Sequence, residues 1–292
     1  MVICNLNGGL GNQMFQYAAV RSISLAHNSS LRLDISTYVN RGHHQGFELN
    51  RVFNCAAEIA SEADIRRVLG WGYLPSMRRI VARPKMAMFR NKRFAVEPHF
   101  NYWRDIKSVL GDCYLVGYWQ SEKYFLGVAR QIREDFSFRP PLENKNITLA
   151  NRITQVNAVS VHIRRGDYAY NPITAATHGL CSLNYYREAI QYISERVHQP
   201  YFFIFSDDIV WAKQNLKIDH AHCYVDHNHG AESYNDMRLM SMCKHNIIAN
   251  SSFSWWGAWL NPNATKIVIA PTRWFANHTD VSDLLPRGWV SL

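Results

Sequence analysis

Apolar residues in this chain fall into short buried runs separated by stretches with helical spacing. Residues 2–6 read as a strand and are followed by the turn Asn7-Gly8-Gly9-Leu10-Gly11. A helix is predicted over about 12–26, because Phe15, Ala18, Ala19, Ile23 and Ala26 recur on one stripe. Leu31-Arg32-Leu33-Asp34-Ile35 then alternates as a second strand, completing a βαβ opening. Ser61-Glu62-Ala63-Asp64 ahead of Ile65 and Val68 predicts a capping box. Another strand is predicted over 114–118. The stretch 72–104 mixes Pro, Arg, Met and aromatic residues without a clear period, so helices and ligand-facing loops both fit it.

Pro140-Pro141 and neighbouring polar residues mark 138–146 as a linker. Beyond it the alternation is cleaner. Strands are predicted over 156–163, 201–205, 222–225, 246–249 and 266–270. Helices are predicted over 184–197, 209–216, 231–243 and 252–260. Five strands alternating with helices imply a parallel sheet covered on both faces. The first half carries a weaker version of the same pattern. The predicted fold class is α/β, with two Rossmann-like doubly wound domains, 1–142 and 143–292, facing each other across a cleft.

Composition narrows this picture without changing it. The 292 residues are 47% hydrophobic and 19% charged, as in a folded globular chain with a full core. The net charge of +9 admits nucleic acid, anionic lipid or an anionic small molecule as partner. The basic group from Arg78-Arg79 to Arg93 reads first as a solvated basic face. No secretory signal and no run of ~18–20 apolar residues is present, which predicts a cytosolic chain. The six cysteines form no CxxC pair and read as reduced, mostly buried thiols.

The polar residues that can carry chemistry cluster where strands end. Ligands of open α/β sheets bind outside the carboxyl ends of the strands. His162-Ile163-Arg164-Arg165-Gly166-Asp167-Tyr168 closes the first strand of the second half. Ser206-Asp207-Asp208 closes the next, and Asn250-Ser251-Ser252-Phe253-Ser254 runs from the fourth into a helix. In the first half, Gly8-Gly9-Leu10-Gly11-Asn12-Gln13 fills the first strand-to-helix turn. Gly9 and Gly11 let the backbone approach a ligand, and Asn12 and Gln13 add amide donors. Arg164 can grip a phosphate with two parallel hydrogen bonds. Ser251, Ser252 and Ser254 can offer hydroxyls and helix-start N–H groups, and Asp207 or Asp208 can accept from a guanine edge or ribose hydroxyls. Together they describe a nucleoside diphosphate held mainly by the second domain. Each cluster alone also has a plain structural use: an ordinary turn, an ion pair with Asp167, a helix cap. Their convergence favours the ligand. Trp255, Trp256 and Trp259 read as core rather than as a sugar platform.

The blocks Gly8–Gln16, His162–Tyr168, Phe205–Asp208 and Asn250–Trp256, in that order, resemble the signatures of bacterial α-1,2-fucosyltransferases of the O-antigen type, glycosyltransferase family 11. Thr177-His178-Gly179-Leu180-Cys181-Ser182 resembles a segment of its lipopolysaccharide-building members. The likeness spans residues 8–259 and is weak over about 40–110, where acceptor choice is expected to lie. It implies a GT-B fold, GDP-fucose as donor, inversion at the fucose anomeric carbon, a β-galactoside 2-hydroxyl as acceptor, and no metal. The absence of any Asp-x-Asp in the sequence agrees with the last point. It further implies that Arg164 holds the leaving phosphate and that His162 contacts the nucleotide. Asp167 and His178 stand as alternative bases, and a strongly dissociative reaction needs no strong base. The implied partners are GDP-fucose and an oligosaccharide acceptor, lipid-linked as one option, with peripheral contact at the inner face of the cytoplasmic membrane. Nucleic acid is not among them. A different GDP-sugar or linkage remains an alternative. A lectin would need no diphosphate cradle.

Overall fold

The computed structural model describes residues 1–39, 45–55, 57–277 and 279–292. Residues 40–44 and 56, within the stretch expected to set acceptor choice, lie outside it, as does 278. The chain divides into one unit of Met1–Pro140 with Val281–Leu284 and a second of Pro141–Asp280 with Leu285–Leu292. A boundary drawn from Pro140-Pro141 gives no hint of the four-residue return. It is held by Asp283, whose backbone carbonyl accepts from the Ser121 hydroxyl and whose carboxylate pairs with Lys123.

The first unit holds five strands, β1 (Val2–Asn5), β2 (Leu31–Asp34), β3 (Glu58–Ile59), β4 (Phe94–Val96) and β5 (Cys113–Val116), in the order β3-β2-β1-β5-β4. All pairings are parallel. Val2, Ile3 and Cys4 are fully buried, as a strand covered on both faces requires. The helix Leu10–Ala26 starts two residues earlier than its apolar stripe predicts, and it is buried nearly all round. Gly8 sits at φ +80°, and a Cβ there would lie 2.5 Å from the Asn12 side-chain nitrogen. The entry to the helix therefore needs glycine on two counts. The capping box at Ser61 and Asp64 forms as predicted. In the stretch 72–104 the structure has a helix, Pro75–Val81, a 3₁₀ turn, Pro84–Phe89, and strand β4. Buried Arg78 pins it to the sheet through the Asp34 carboxylate and the Tyr114 hydroxyl.

The second unit holds β6 (Asn157–Ile163), β7 (Pro200–Ser206), β8 (His222–Val225), β9 (His245–Ile247), β10 (Val268–Ala270) and β11 (Val290–Ser291), ordered β11-β10-β9-β6-β7-β8 and parallel throughout. Five of the six are the strands predicted, with ends shifted by up to two residues. The sequence missed the helix Asn144–Gln155, whose start lies inside the expected linker. Val159, Val161, Phe202, Ile204 and Ile247 form the centre of one face of the core against the helix Leu183–Ser194. Trp255, Trp256 and Trp259, all in the helix Ser252–Leu260, are buried and pack on one another. The connections run β6 to β7 to β8 on one side and β9 to β10 to β11 on the other. The switch point, where ligands of such sheets bind, is therefore between β6 and β9. Among the described residues no helix is long and apolar enough to cross a membrane.

Candidate active site

Central strand β6 delivers His162 and Arg164 to that switch point. Its apolar residues lock the strand, so the polar side chains at its carboxyl end have fixed origins. His162 is only 5% exposed, its ring lies 5.8 Å from that of Phe253, and its Nδ1 has no hydrogen-bond partner. Burial, aided by the Arg164 charge, pushes its pKa down to about 3, so the ring is neutral at neutral pH.

Arg164 is held between two carboxylates. One terminal nitrogen donates to Asp167 at 2.6 Å and the other lies 3.0 Å from Asp207. The guanidinium also lies 5.3 Å from the centre of the Tyr168 ring. Its Nε is buried and makes no hydrogen bond. Burial opposes its charge, but Asp207 and Asp167 more than offset this and keep it protonated. Gly166 makes this approach possible, since a Cβ there would sit 2.5 Å from the Asp207 carboxylate.

Arg165 points elsewhere. Its guanidinium lies 3.7 Å from the centre of the Trp211 ring and 3.5 Å from the Asp208 carboxylate, while its backbone N–H donates to Asp207 at 2.8 Å. Asp208 caps the helix Ile209–Asn215 by accepting from the Trp211 N–H, and it accepts from the Tyr170 hydroxyl. Both carboxylates that the sequence offered to a nucleoside are thus already engaged with the loop after β6. Arg164, not Arg165, is the partner of Asp167.

The third cluster divides in two. Asn250 is buried, donates to the carbonyls of His178 and Trp274 and accepts from the Cys181 thiol, tying loops together. Ser254 is buried and turns its hydroxyl back to the Ser251 carbonyl. Ser251 starts the helix Ser252–Leu260 without a side-chain capping bond, and Ser252 is half-buried. The helix start, with the N–H groups of its first turn, is the part of this cluster suited to an anion. His178 is brought to the same place: its ring stacks on Tyr168 at 4.5 Å and 8°. Its Nδ1 is buried without a partner, and burial lowers its pKa.

In the first unit, Gly9 precedes the helix Leu10–Ala26, and its carbonyl accepts from the Asn12 and Gln13 N–H groups; Gly11 is buried in the first turn. Gln13 is fully buried. Its amide donates to the Gly8 and Gly46 carbonyls and accepts from the Glu48 N–H. Asn12 is half-buried and accepts from Gln120 at 2.8 Å. Two groups escaped the sequence. Glu97, directly after β4, accepts from the Tyr118 and Trp119 N–H groups, and burial raises its pKa to about 7. Asp236 accepts from Asn228 and is likewise raised by burial to about 7. Recognising β4 would have flagged Glu97 as a strand-end carboxylate. Asp236 looks like any helical acid until the helix Tyr234–Met242 is packed.

The second unit therefore presents a permanently charged, half-buried guanidinium beside a neutral imidazole and a helix start without a side-chain cap. That is a chemistry for stabilising a phosphate anion without moving a proton. Comparison with known proteins gives the family. The model for glycosyl transferase family 11 matches residues 101–292. An α-1,2-colitosyltransferase of Escherichia coli is 40% identical, covering 100% of this chain and 99% of its own. The O-antigen biosynthesis glycosyltransferase WbnK of Escherichia coli is 35% identical, covering 98% and 99%. Among solved structures, the NodZ α-1,6-fucosyltransferase soaked with GDP-fucose superposes with a TM-score of 0.52 at 17% identity, over 89% of this chain and 92% of that one, a likeness of fold. Two parallel α/β sheets with these polar strand ends are the GT-B architecture, and the chain belongs to glycosyltransferase family 11.

Proposed function

We propose that this glycosyltransferase moves L-fucose from GDP-fucose to the 2-hydroxyl of a β-galactoside, with inversion and without a metal ion, in the building of O-antigen oligosaccharide. The observation that carries the proposal is Arg164, fixed by Asp167 and Asp207 at the sheet's switch point with donors to spare. When the bond from fucose C1 to the phosphate oxygen breaks, negative charge gathers on the β-phosphate and positive character on the sugar. Arg164 and the helix start at Ser251 and Ser252 supply fixed donors to that charge, so no cation is required. The acceptor hydroxyl attacks the opposite face of C1, and its proton passes to a base. His178 suits that role better than Asp167, whose carboxylate is committed to Arg164. With its pKa below the usual value, His178 is neutral at pH 7, so the rate should fall on the acid side as it protonates. Residual activity in EDTA is expected to equal that in Mg²⁺. Loss on chelation, restored by Mg²⁺ or Mn²⁺, would overturn metal independence.

The 40% identity to a colitosyltransferase supports one other donor, GDP-colitose, whose sugar is fucose without its 3-hydroxyl. The name of WbnK supports a role in O-antigen assembly, with a lipid-linked oligosaccharide as one option for the acceptor. Incubation of the purified enzyme with GDP-fucose or GDP-colitose and a panel of β-galactosides, with the linkage assigned by NMR, tests the proposal. Transfer of fucose to a galactose 2-hydroxyl is expected. Transfer of colitose alone would move the assignment to the second donor.

A further inference from the structure

The excess of basic charge in the chain matches one segment. Between residues 65 and 96 there are nine lysines and arginines and no acidic residue. The other 23 basic residues balance the 23 acidic ones, so this segment equals the whole net charge of +9. Of the nine, Arg78 is buried against Asp34 and Arg90 is half-buried, donating to the carbonyls of Val81, Ala82 and Arg83. The remaining seven, Arg66, Arg67, Arg79, Arg83, Lys85, Lys92 and Arg93, are exposed, and among the described residues none is in an ion pair. Asp64 and Asp112 lie within electrostatic reach at the rim, near Arg67 and Arg93, and Glu62 shares a helix with Arg66 and Arg67.

The same segment exposes large apolar side chains. Trp71 is 71% exposed, Met88 84% and Phe89 60%, with Leu74 and Ile80 beside them in sequence. Trp71 and Phe89 line one shallow groove with Val81 and Phe94, so they meet in space as well. These side chains are not loosely carried. Leu69, Val81 and Phe94 bury themselves in the unit's core, and Arg90 fixes the Pro84–Phe89 turn that presents Met88 and Phe89. They are held out among cations.

We propose that this face, residues 66–93 of the first unit, docks on an anionic phospholipid surface. Cations alone give weak, salt-sensitive attraction and a few apolar side chains alone give marginal insertion. The two together make a stable peripheral contact. The apolar set argues for lipid over nucleic acid, because Leu74, Ile80 and Met88 have no flat face to stack on a base but do fit the boundary between headgroups and acyl chains. The inference stands on this surface and is independent of the donor and acceptor assigned above.

Flotation with vesicles tests it, using equimolar phosphatidylglycerol and phosphatidylethanolamine against pure phosphatidylcholine. The full chain should float with the anionic vesicles only. Lys85→Glu with Lys92→Glu should lower the bound fraction about tenfold or more. Trp71→Ser with Met88→Ser and Phe89→Ser should leave only binding that moderate salt removes. Arg187→Glu with Lys217→Glu, an equal charge change on exposed residues of the second unit, should float as the parent does. All variants should melt with the parent, since every altered side chain is exposed. Equal losses from the two charge variants would reduce the effect to net charge and overturn the proposal. So would retention on heparin without flotation, which would mark a nucleic-acid or acidic-polymer face instead.

Discussion

The carboxyl ends of the two sheets use polar residues in opposite ways. In the first unit, Asp34 at the end of β2 pairs with buried Arg78, and the amides of the first helix after β1 serve the backbone. Gln13 spans Gly8, Gly46 and Glu48, and Gln16 accepts from the Asn7 N–H while donating to the Gly117 carbonyl. Both are fully buried and their hydrogen bonds are satisfied within the unit. In the second unit they are charges and imidazoles with capacity left over: the Nε of Arg164 and the Nδ1 atoms of His162 and His178 have no partner. Buried polar groups are normally paired; the first unit has exceptions too, the Nε atoms of Arg32 and Arg78 and the Nε1 of Trp119 among them, but in the second unit they include the candidate site residues themselves. The first-helix amides of one unit thus close on their own backbone, while the strand-end charges and imidazoles of the other form the candidate site.

Arg164→Lys puts the most pressure on this contrast. Lysine keeps the charge but loses the planar fork that bridges Asp167 and Asp207. The variant should stay folded and lose ~10²-fold or more in turnover. Near-normal turnover by a folded variant would reduce Arg164 to another scaffold residue, and the two units would no longer differ. Gln16→Ala probes the other side. It strands the Asn7 N–H and the Gly117 carbonyl, at an expected cost of about 1–3 kcal/mol in stability, read by denaturant unfolding. Turnover per folded molecule should hold. A large loss of turnover without a loss of stability would place Gln16 in the chemistry.

Asp207→Ala is expected to weaken GDP binding by about tenfold in calorimetry, because the carboxylate positions the Arg164 fork and accepts the Arg165 N–H. Its effect on the rate at saturating donor should be smaller. Unchanged GDP affinity would show that Asp207 only holds the loop. The smallest effect expected is at Asp236, a buried carboxyl outside the arginine cluster. Pushed up to about 7, it keeps its proton in the folded chain where the unfolded chain has released it. Wild-type stability should therefore fall as pH rises from about 4 toward 7 and level off above. Asp236→Asn, whose amide oxygen still accepts from Asn228, should melt higher than wild type near pH 8 and no higher near pH 4. A constant offset at every pH would mean that the carboxyl does not titrate in this range.

The sequence determined most of the second unit. Its strands are short apolar runs whose period does not depend on distant neighbours, and each ends in a conspicuous polar block. The same logic failed over 72–104, because Phe94-Ala95-Val96 is too short to show a period, and its partner β5 is fixed only by tertiary pairing. Without β4, Glu97 had no strand end to stand on. The helix Asn144–Gln155 was hidden by its polar opening and by the prolines before it. Sequence also named the candidate site residues as a set but not their partners. His162 and Arg164 were legible because charge and aromatic nitrogen are rare at buried strand ends, and His178 through the family-like segment 177–182. That Arg164 takes both Asp167 and Asp207, that Asp208 goes to Arg165 and a helix cap, and that Asn250 ties loops instead of facing a ligand were decided by distances across β6, β7 and β9. Residue type and spacing fix which groups can bond. Only the register of packed strands brings two of them within about 3 Å, and hydrogen bonding begins at that distance.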